Sequence, residues 1–183
     1  MAGRGRQERA WVRAAREGSD PDLEALFRAN WPRALRAAYL VVHDRAAAED
    51  IAQEAFVAAV NALEHFDRRR PFEPWLHRIV VNRAIDWART RIARRELAGD
   101  AYLELADRPA ATGDPPGDLD TEELVAGLAA LSPEHRAVIV LRYLLEYTPG
   151  EIAGLLDLPR GTVNSRLRRG LDRLEEALRR EPA

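Results

Sequence analysis

Apolar side chains recur at intervals of three and four residues along most of the chain, which is the period of an amphipathic α-helix. The clearest example lies between Arg45 and His65, where the apolar positions are Ala48, Ile51, Ala52, Ala55, Phe56, Ala59, Val60 and Leu63. No stretch shows the period of two that a half-buried strand requires. The pattern therefore predicts an all-α protein.

Prolines and capping residues indicate where the helices of the N-terminal part begin. Asp20-Pro21-Asp22 and Asp44 are typical of helix N-termini. Pro32 and Pro74 suit the first turn of a helix, where a proline costs no hydrogen bond. The predicted helices are residues 20–30, 32–42, 45–65 and 74–95.

The C-terminal part contains two further helix starts and one break. Ser132-Pro133-Glu134 begins one helix, Thr148-Pro149-Gly150-Glu151 forms a capping box, and Asp157-Leu158-Pro159 ends the helix that the box opens. The predicted helices are residues 134–145, 149–156 and, from Gly161 or Thr162 onward, up to about 179. The last two, joined by a short turn, predict a helix-turn-helix, whose second helix enters the major groove of DNA.

A segment rich in proline, glycine and acidic residues separates these two parts and shows no sustained helical period. This composition favours a flexible linker. The prediction is two small helical domains, residues 1–95 and 122–183, joined by a flexible acidic linker at residues 96–121.

The charges occur in blocks. Residues 66–95 hold nine arginines and three acids, residues 96–123 nine acids and one arginine, and residues 159–180 seven arginines and three acids. Two basic patches joined by an acidic tether indicate two contacts with a polyanion, although the chain carries a net charge of only −2.

Residues that could carry chemistry are sparse. The chain has no cysteine, which excludes disulfides, cysteine-ligated zinc and thiol catalysis and is consistent with a reducing cytoplasm. The four histidines lack metal-ligand spacing, and no phosphate-binding loop or nucleophile motif occurs. No apolar run reaches the roughly 20 residues of a membrane span. We expect a cytoplasmic protein without enzymatic activity, metal, cofactor or membrane insertion.

The second helix of the predicted helix-turn-helix is amphipathic. Its apolar stripe consists of Val163, Leu167, Leu171, Leu174 and Leu178, and its remaining face is rich in arginine. Arginine can bind phosphates or read guanine, and Asn164 can pair with adenine. The alternative is a solvated helix in a small bundle; the capping box, the turn and the arginines together favour DNA binding.

The segment from Phe66 to Arg95 combines an aromatic side chain with arginine and asparagine. Trp75, Arg78, Asn82, Asp86 and Arg89 fall within one quadrant of a helical wheel. Stacking on unpaired bases, with arginine on the backbone, is typical of single-stranded nucleic-acid binding. A helical tryptophan is more often part of a core, so this pattern alone is a weak indication.

Glu49, Asp50, Gln53 and Glu54 form a compact acidic face on the helix that Asp44 opens. Taken alone, this face indicates only acids placed favourably near a helix N-terminus.

In this order, the segments resemble the extracytoplasmic-function sigma factors, the smallest members of the sigma-70 family of bacterial RNA polymerase sigma factors. The similar segments are Ala48 to Phe56 (region 2.2), Trp75 to Asn82 with Asp86 (regions 2.3 and 2.4), Leu131 to Tyr143 (region 4.1) and Glu151 to Leu167 (region 4.2). The resemblance spans about residues 23–178, nearly the whole chain.

The resemblance implies three groups of functional residues. The clamp of the largest polymerase subunit would bind Asp50, Gln53, Glu54 and Phe56. The melted, single-stranded minus-ten element would contact Phe66, in a loop that captures a flipped base, and Trp75, His77, Arg78, Asn82 and Asp86. The duplex minus-thirty-five element would contact Arg160, Thr162, Asn164, Ser165, Arg166 and Arg169.

The resemblance also implies partners. Core RNA polymerase would be bound at its clamp and flap, with the acidic linker in the active-site and RNA-exit channels. An anti-sigma factor would hold the protein inactive, and the free protein would be a monomer that joins the nucleoid with polymerase. The alternative is a helix-turn-helix repressor or activator that dimerises on a palindrome, although no dimerisation stripe is evident.

Overall fold

The computed structural model describes residues 2–98 and 122–179. Within these two ranges the chain is helical and contains no strand, as the hydrophobic pattern predicts. The α-helices are α1 (Ala2–Arg16), α2 (Asp20–Val42), α3 (Arg45–Asn61), α4 (Phe72–Ala98), α5 (Glu122–Ala129), α6 (Pro133–Ile139), α7 (Pro149–Leu156) and α8 (Arg160–Arg179). Most of the predicted linker, residues 99–121, lies outside the described residues.

The N-terminal domain is a bundle in which α2 packs against α1, α3 and α4. Small side chains on α2 and α3 are fully buried, among them Ala34, Ala38, Ala48, Ala52 and Ala55. Because alanine extends no further than Cβ, helices that meet through it pack closely. Asp44 caps α3 as predicted, since its side chain accepts a hydrogen bond from the Ala47 backbone N–H at 3.0 Å.

The break predicted before Pro32 is wrong, because α2 continues through this residue to Val42. Pro32 removes the hydrogen bond to the carbonyl of Arg28, one turn earlier. Both residues are exposed, so water can satisfy that carbonyl. The helix start also differs: Ser19 occupies the N-cap position, and its hydroxyl lies 2.5 Å from Asp22 Oδ2 in the first turn.

Helix α1 is absent from the predicted helices. Its buried positions are Glu8 and Val12, with Trp11 and Ala15 partly buried beside them. Glu8 Oε1 accepts a hydrogen bond from Nδ2 of the buried Asn30 at 3.4 Å. An acid in the middle of the buried face breaks the apolar stripe by which helices are recognised in a sequence.

The C-terminal domain is built from α5 to α8, with α8 packed against α5, α6 and α7. The capping box at Thr148 and Glu151 is confirmed: Glu151 Oε2 accepts from the Thr148 backbone N–H at 2.8 Å, and Thr148 Oγ1 accepts from the Glu151 N–H at 3.3 Å. Ser132 stands at the N-cap of α6, but its hydroxyl contacts His135 Nδ1 at 2.6 Å rather than a backbone N–H.

The helix predicted over residues 134–145 changes its winding halfway. After α6 a π-turn spans Val140–Leu144, and Glu146 then adopts a left-handed conformation with φ of 61°. The chain reverses there, and the Tyr147 backbone N–H donates to the Leu141 carbonyl at 3.0 Å. This local geometry directs Tyr147 toward the N-terminal domain.

The two domains pack against each other, with α6 on α2 and α4, and α7 on α4. Buried Arg136 donates from Nη1 to the Val41 carbonyl at 2.5 Å, and Arg89 Nε donates to Glu134 Oε1 at 2.6 Å. Burial lowers the pKa of Arg136 to about 10, so it remains charged near neutral pH. The carbonyl of Val41 at the C-terminal end of α2 is a favourable site for this cation.

Candidate polymerase and nucleic-acid interfaces

Three surfaces contain the residues predicted to be functional. The first, the docking face, consists of Asp50, Gln53, Glu54 and Phe56 on α3. The second, the strand face, consists of Trp75, Arg78, Asn82 and Asp86 on α4. The third is the outer face of α8, the recognition helix.

The polar members of the docking face are exposed. Asp50, Gln53 and Glu54 project into solvent, and Glu54 Oε2 accepts from Arg83 Nη1 of α4 at 2.7 Å. Both side chains of this ion pair are largely solvated, so the pair contributes little to folding. These carboxylates are therefore available to a partner at small cost to the fold.

Phe56 lies beneath this face rather than on it. Its side chain is 6% exposed, and its ring is 4.8 Å from that of Phe27 and 6.0 Å from that of Trp31. Beside it opens an apolar groove of about 530 Å³. Exposed Val57, Val60 and Phe27 line the groove together with Gln53. Val60 belongs to the apolar stripe that predicts this helix, yet its side chain is exposed, as are those of Val57 and Phe27.

The strand face occupies one side of α4. At 100° per residue, its four residues fall within an arc of about 80°. Arg78 and Asp86 are exposed, whereas Trp75 and Asn82 are half-buried. The structure thus places an aromatic ring, a cation and an amide side by side, as the sequence analysis predicts, and Arg89 follows on the same side.

The loop before α4 is shaped by aromatic packing and by one aspartate. Phe66 is 7% exposed, and its ring is 4.7 Å from that of Trp75. Asp67 Oδ1 accepts from the backbone N–H of Arg69 at 3.0 Å, and this hydrogen bond holds the pKa of Asp67 below its ordinary value. The loop leaves Arg68 to Arg70 exposed at its tip.

His77 does not lie on the strand face. It points about 140° away from Asn82 around α4. The side chain is 1% exposed, and Nδ1 lies 2.8 Å from the Tyr147 hydroxyl of the C-terminal domain. Burial raises the pKa of Tyr147 above its ordinary value, so the phenol is neutral. In this arrangement neither His77 nor Phe66 is accessible to a nucleic acid.

The recognition helix buries one face and exposes the other. Val163, Leu167, Gly170 and Leu174 are buried. Of the predicted contact residues, Arg160, Asn164 and Arg169 are exposed and Thr162, Ser165 and Arg166 are half-buried. The helix begins at Arg160, slightly earlier than predicted, and the Ser165 hydroxyl is engaged locally with the Thr162 carbonyl at 2.9 Å.

The arginines on the outer face of α8 act electrostatically on a histidine of the neighbouring helix α6. The pKa of His135 on α6 lies below its ordinary value, first because of burial and then because of Arg173, Arg166 and Arg169. Repulsion of a proton by three arginines indicates a surface that attracts anions such as DNA phosphates.

Within residues 2–98 and 122–179, no group of three or more acidic or histidine side chains is placed to hold a metal ion. Over the same residues, none of the helices combines the length and the apolar character needed to cross a bilayer.

The chain matches two family models in the order in which its domains occur. Residues 26–95 match sigma-70 region 2, and residues 121–174 match sigma-70 region 4. The first match covers α3, α4 and most of α2, and the second covers the helix-turn-helix. Each of the three surfaces therefore lies within a matched segment.

Curated relatives and solved structures agree with these matches. The chain is 37% identical over 141 residues to the ECF RNA polymerase sigma factor SigW of Bacillus subtilis, with 72% of this chain and 75% of the relative covered. It is 34% identical over 138 residues to the RNA polymerase sigma factor CnrH of Cupriavidus metallidurans, with 71% and 72% covered. A solved structure of CnrH in complex with the cytosolic domain of CnrY superposes with a TM-score of 0.69 and 29% identity, covering 96% of this chain and 99% of that chain. The sigma factor RpoE of Bartonella quintana, solved with the anti-sigma factor NepR, shares the fold with a TM-score of 0.67 and 23% identity, covering 88% of this chain and 99% of that chain.

Proposed function

The chain belongs to the extracytoplasmic-function sigma factors of the sigma-70 family, and from this premise we propose which of its surfaces bind polymerase and which bind the promoter. As a sigma factor it is a regulatory protein that acts in transcription initiation. A helix-turn-helix repressor or activator without sigma activity is not favoured, because region 2 and region 4 occur together in one chain.

We propose that the docking face binds the clamp of the largest polymerase subunit. Asp50, Gln53 and Glu54 would supply the exposed polar contacts, and the apolar groove beside Phe56 would accept an aliphatic side chain of the partner. A specific interface usually has an apolar centre surrounded by a polar rim. The C-terminal domain would contact the flap.

The strand face would hold the unpaired minus-ten strand. Trp75 provides a ring for base stacking, Arg78 a cation for the backbone and Asn82 an amide for a base edge. The Phe66 ring packs against the Trp75 ring, with their centroids 4.7 Å apart. The free energy for melting would come from trapping unpaired bases on this face.

The recognition helix would bind the duplex minus-thirty-five element. Asn164 and Arg160 are exposed near its N-terminal end, which is the part of a recognition helix that reaches base edges. Arg169 lies further along and would contact phosphate. The observation that carries the whole proposal is that one chain presents both a single-strand face on α4 and a duplex-reading face on α8.

Promoter binding requires the two domains to separate. The minus-ten and minus-thirty-five elements are about 25 base pairs apart, or ~85 Å at the axial rise of B-DNA. In this structure, the closed arrangement, the two domains are packed together: α8 packs on α6 and α7, and both of these helices contact α4. The strand face on α4 and the outer face of α8 are therefore separated by only about two helix diameters, ~20 Å. The contacts of His77 with Tyr147 and of Arg89 with Glu134 must therefore break in the promoter complex.

An anti-sigma partner is the second part of the proposal. CnrH, to which this chain is similar, was solved with the cytosolic domain of CnrY. In this chain an apolar groove of about 360 Å³ lies between α2 and the C-terminal domain, lined by Leu40, Leu128, Leu144 and the exposed Tyr143 and Leu171. A partner helix bound there would contact both domains and hold them closed.

The proposal is tested by run-off transcription with core polymerase and a randomised promoter library. Asn82→Ala should change the enriched minus-ten sequence, and Asn164→Ala should change only the minus-thirty-five sequence, since each removes one amide reader. Arg94→Ala on α4 and Arg179→Ala at the end of α8 are exposed controls that should leave both elements unchanged. A protein that neither binds core polymerase nor yields transcripts would contradict the proposal.

A further inference from the structure

Helix α1 carries a row of arginines along its outer side. Arg6, Arg9, Arg13 and Arg16 are spaced so that, at 100° per residue, they fall within an arc of about 80°. Their row extends for ~15 Å along the helix axis. The buried Glu8 and Val12 lie about 120° and 80° from the centre of this arc. Arg6, Arg9 and Arg13 are exposed, whereas Arg16, beside Val12, is half-buried.

This row is rich in positive charge, with the exposed Glu17 at its C-terminal end. Residues 2–16 contain five arginines and one acid, and the acid, Glu8, is turned inward to Asn30. In the part of the chain that the structure describes, Arg6, Arg9 and Arg13 form no ion pair with a carboxylate. Elsewhere, exposed arginines of the same domain do form such pairs, as Arg28 does with Glu24. The row thus differs from the ordinary solvated helix surface of this protein.

The row joins the loop of the strand face. Arg16 Nη2 donates to the Glu64 carbonyl at 2.6 Å, in the 3-10 turn that precedes Phe66. The exposed Arg68 to Arg70 follow within a few residues. One end of the row therefore contacts the segment that leads to the loop of the strand face, where the exposed Glu64 and Asp67 also lie.

We infer that the α1 arginine row binds the phosphate backbone of the promoter strand next to the minus-ten element, extending the strand face beyond the bases it holds. The inference rests on the proposed function of the strand face. Arginine pairs bidentately with phosphate, and backbone contacts of this kind fix the position of a strand without reading its sequence. The row therefore contributes affinity and leaves the sequence preference to Asn82 and its neighbours.

The experiment measures binding of the holoenzyme, core polymerase with this protein, to a forked promoter probe whose minus-ten element is single-stranded. The dissociation constant is measured over a series of salt concentrations for the wild type and for Arg6→Gln/Arg9→Gln/Arg13→Gln. Three lost contacts to a single strand should make the log–log salt slope shallower by ~2 and weaken binding most at low salt. The sequence preference at the minus-ten element should not change.

Three further variants of this protein test whether a change in the salt slope comes from the charge of the α1 arginines. Arg6→Lys/Arg9→Lys/Arg13→Lys keeps the charge and should keep most of the salt slope. Arg28→Gln removes an exposed arginine of α2 that lies outside both basic patches and should match the wild type. The single variant Arg9→Gln should lose about a third of the triple effect, and it serves if the triple variant does not fold.

Each other outcome is decisive. An unchanged slope in the triple variant, with the wild type bound normally, overturns the inference and leaves the proposed function intact. A loss of affinity for core polymerase in the absence of DNA assigns the row to a protein partner and also overturns it. If the wild-type holoenzyme itself does not bind the probe, the proposed function fails first.

Discussion

The phenol oxygen of Tyr147 lies 2.8 Å from Nδ1 of His77, and this contact joins the domain that contains the strand face to the domain that contains the recognition helix. The two rings also meet edge to face, with centroids 5.9 Å apart. If the two faces bind the two promoter elements as proposed, the packed domains are too close together to reach both, and this hydrogen bond must break on the promoter. Its strength then contributes to the free energy of separating the domains.

Tyr147→Phe should favour the open arrangement. The substitution keeps the ring contact but removes the hydrogen bond between the domains, which contributes ~1 kcal/mol. The population with packed domains should fall accordingly, by roughly fivefold for a change of ~1 kcal/mol. Because the chain contains no cysteine, two introduced cysteines can carry dyes, and single-molecule energy transfer between the domains measures this population.

Tyr143→Phe is the matched control for that experiment. Its side chain belongs to the same domain but is 59% exposed, so loss of its hydroxyl should leave the distribution of inter-dye distances unchanged. Equal distributions for Tyr147→Phe and the wild type would show that the hydrogen bond does not hold the domains together.

Asp50→Ala/Glu54→Ala should weaken binding to core polymerase without unfolding the protein. Hydrogen bonds to charged groups contribute ~1.5–3 kcal/mol, so a loss of at least about tenfold in affinity is expected. The thermal midpoint should change little, because Glu54 and Arg83 form a solvated pair. Fluorescence anisotropy of labelled protein titrated with core polymerase gives the affinity.

Glu175→Ala provides the comparison, since Glu175 also pairs with an exposed arginine, Arg179, but lies at the end of α8. It should bind core polymerase as the wild type does. Phe56→Ala is unsuitable as a docking test, because removing this 6% exposed ring costs ~3–5 kcal/mol of folding free energy. If Asp50→Ala/Glu54→Ala bound core polymerase as tightly as Glu175→Ala does, the polymerase would have to bind another surface of this protein.

The sequence was sufficient for features that depend on local chemistry. The capping box of α7 and the aspartate cap of α3 follow from the preferences of a few neighbouring residues, and the structure contains both. The same holds for the order of regions along the chain, which the family matches confirm.

Features that depend on packing could not be read from the sequence. Pro32 lies inside α2 because its exposed side tolerates an unpaired carbonyl, which no local pattern shows. His77 and Tyr147 are 70 residues apart, and Val41 and Arg136 are 95 apart, so only the tertiary fold brings them together. His77 was therefore assigned to DNA, although the structure directs it to the other domain.

Gly170→Ala should destabilise the C-terminal domain. A Cβ at this position would lie 2.9 Å from Ile139 Cδ1 and 3.4 Å from His135 Cβ, because α6 and α8 approach closely there. Overpacking costs ~1–3 kcal/mol, whereas the gain in helix propensity is at most ~1 kcal/mol, so a net loss of about 1 kcal/mol is expected. Gly154→Ala on α7 meets nothing within 4 Å and should raise the thermal midpoint followed by circular dichroism. Equal midpoints for the two variants would contradict close packing at Gly170.

His43 should make the N-terminal domain sensitive to acid. It ends α2 in a left-handed conformation with φ of 54° and is buried. Within the described residues neither ring nitrogen has a hydrogen-bond partner. Burial, together with the charge of Arg136, lowers its pKa to about 3.

The sign of the effect follows from proton uptake. An unfolded histidine has a pKa of about 6.5, so between that pH and about 3 unfolding takes up a proton at this residue. The stability that neutral His43 contributes is complete above pH 6.5 and is lost as the pH falls, by up to about 1.4 kcal/mol per pH unit. His43→Asn removes the titrating group, and asparagine tolerates the left-handed conformation.

All four tryptophans lie in the N-terminal domain, so their fluorescence during urea unfolding reports on that domain. The difference in unfolding free energy between wild type and His43→Asn should move in favour of the variant from pH 7 to pH 5. The exposed His65→Asn should show no such change; parallel losses in wild type and His43→Asn would mean that other groups cause the acid sensitivity.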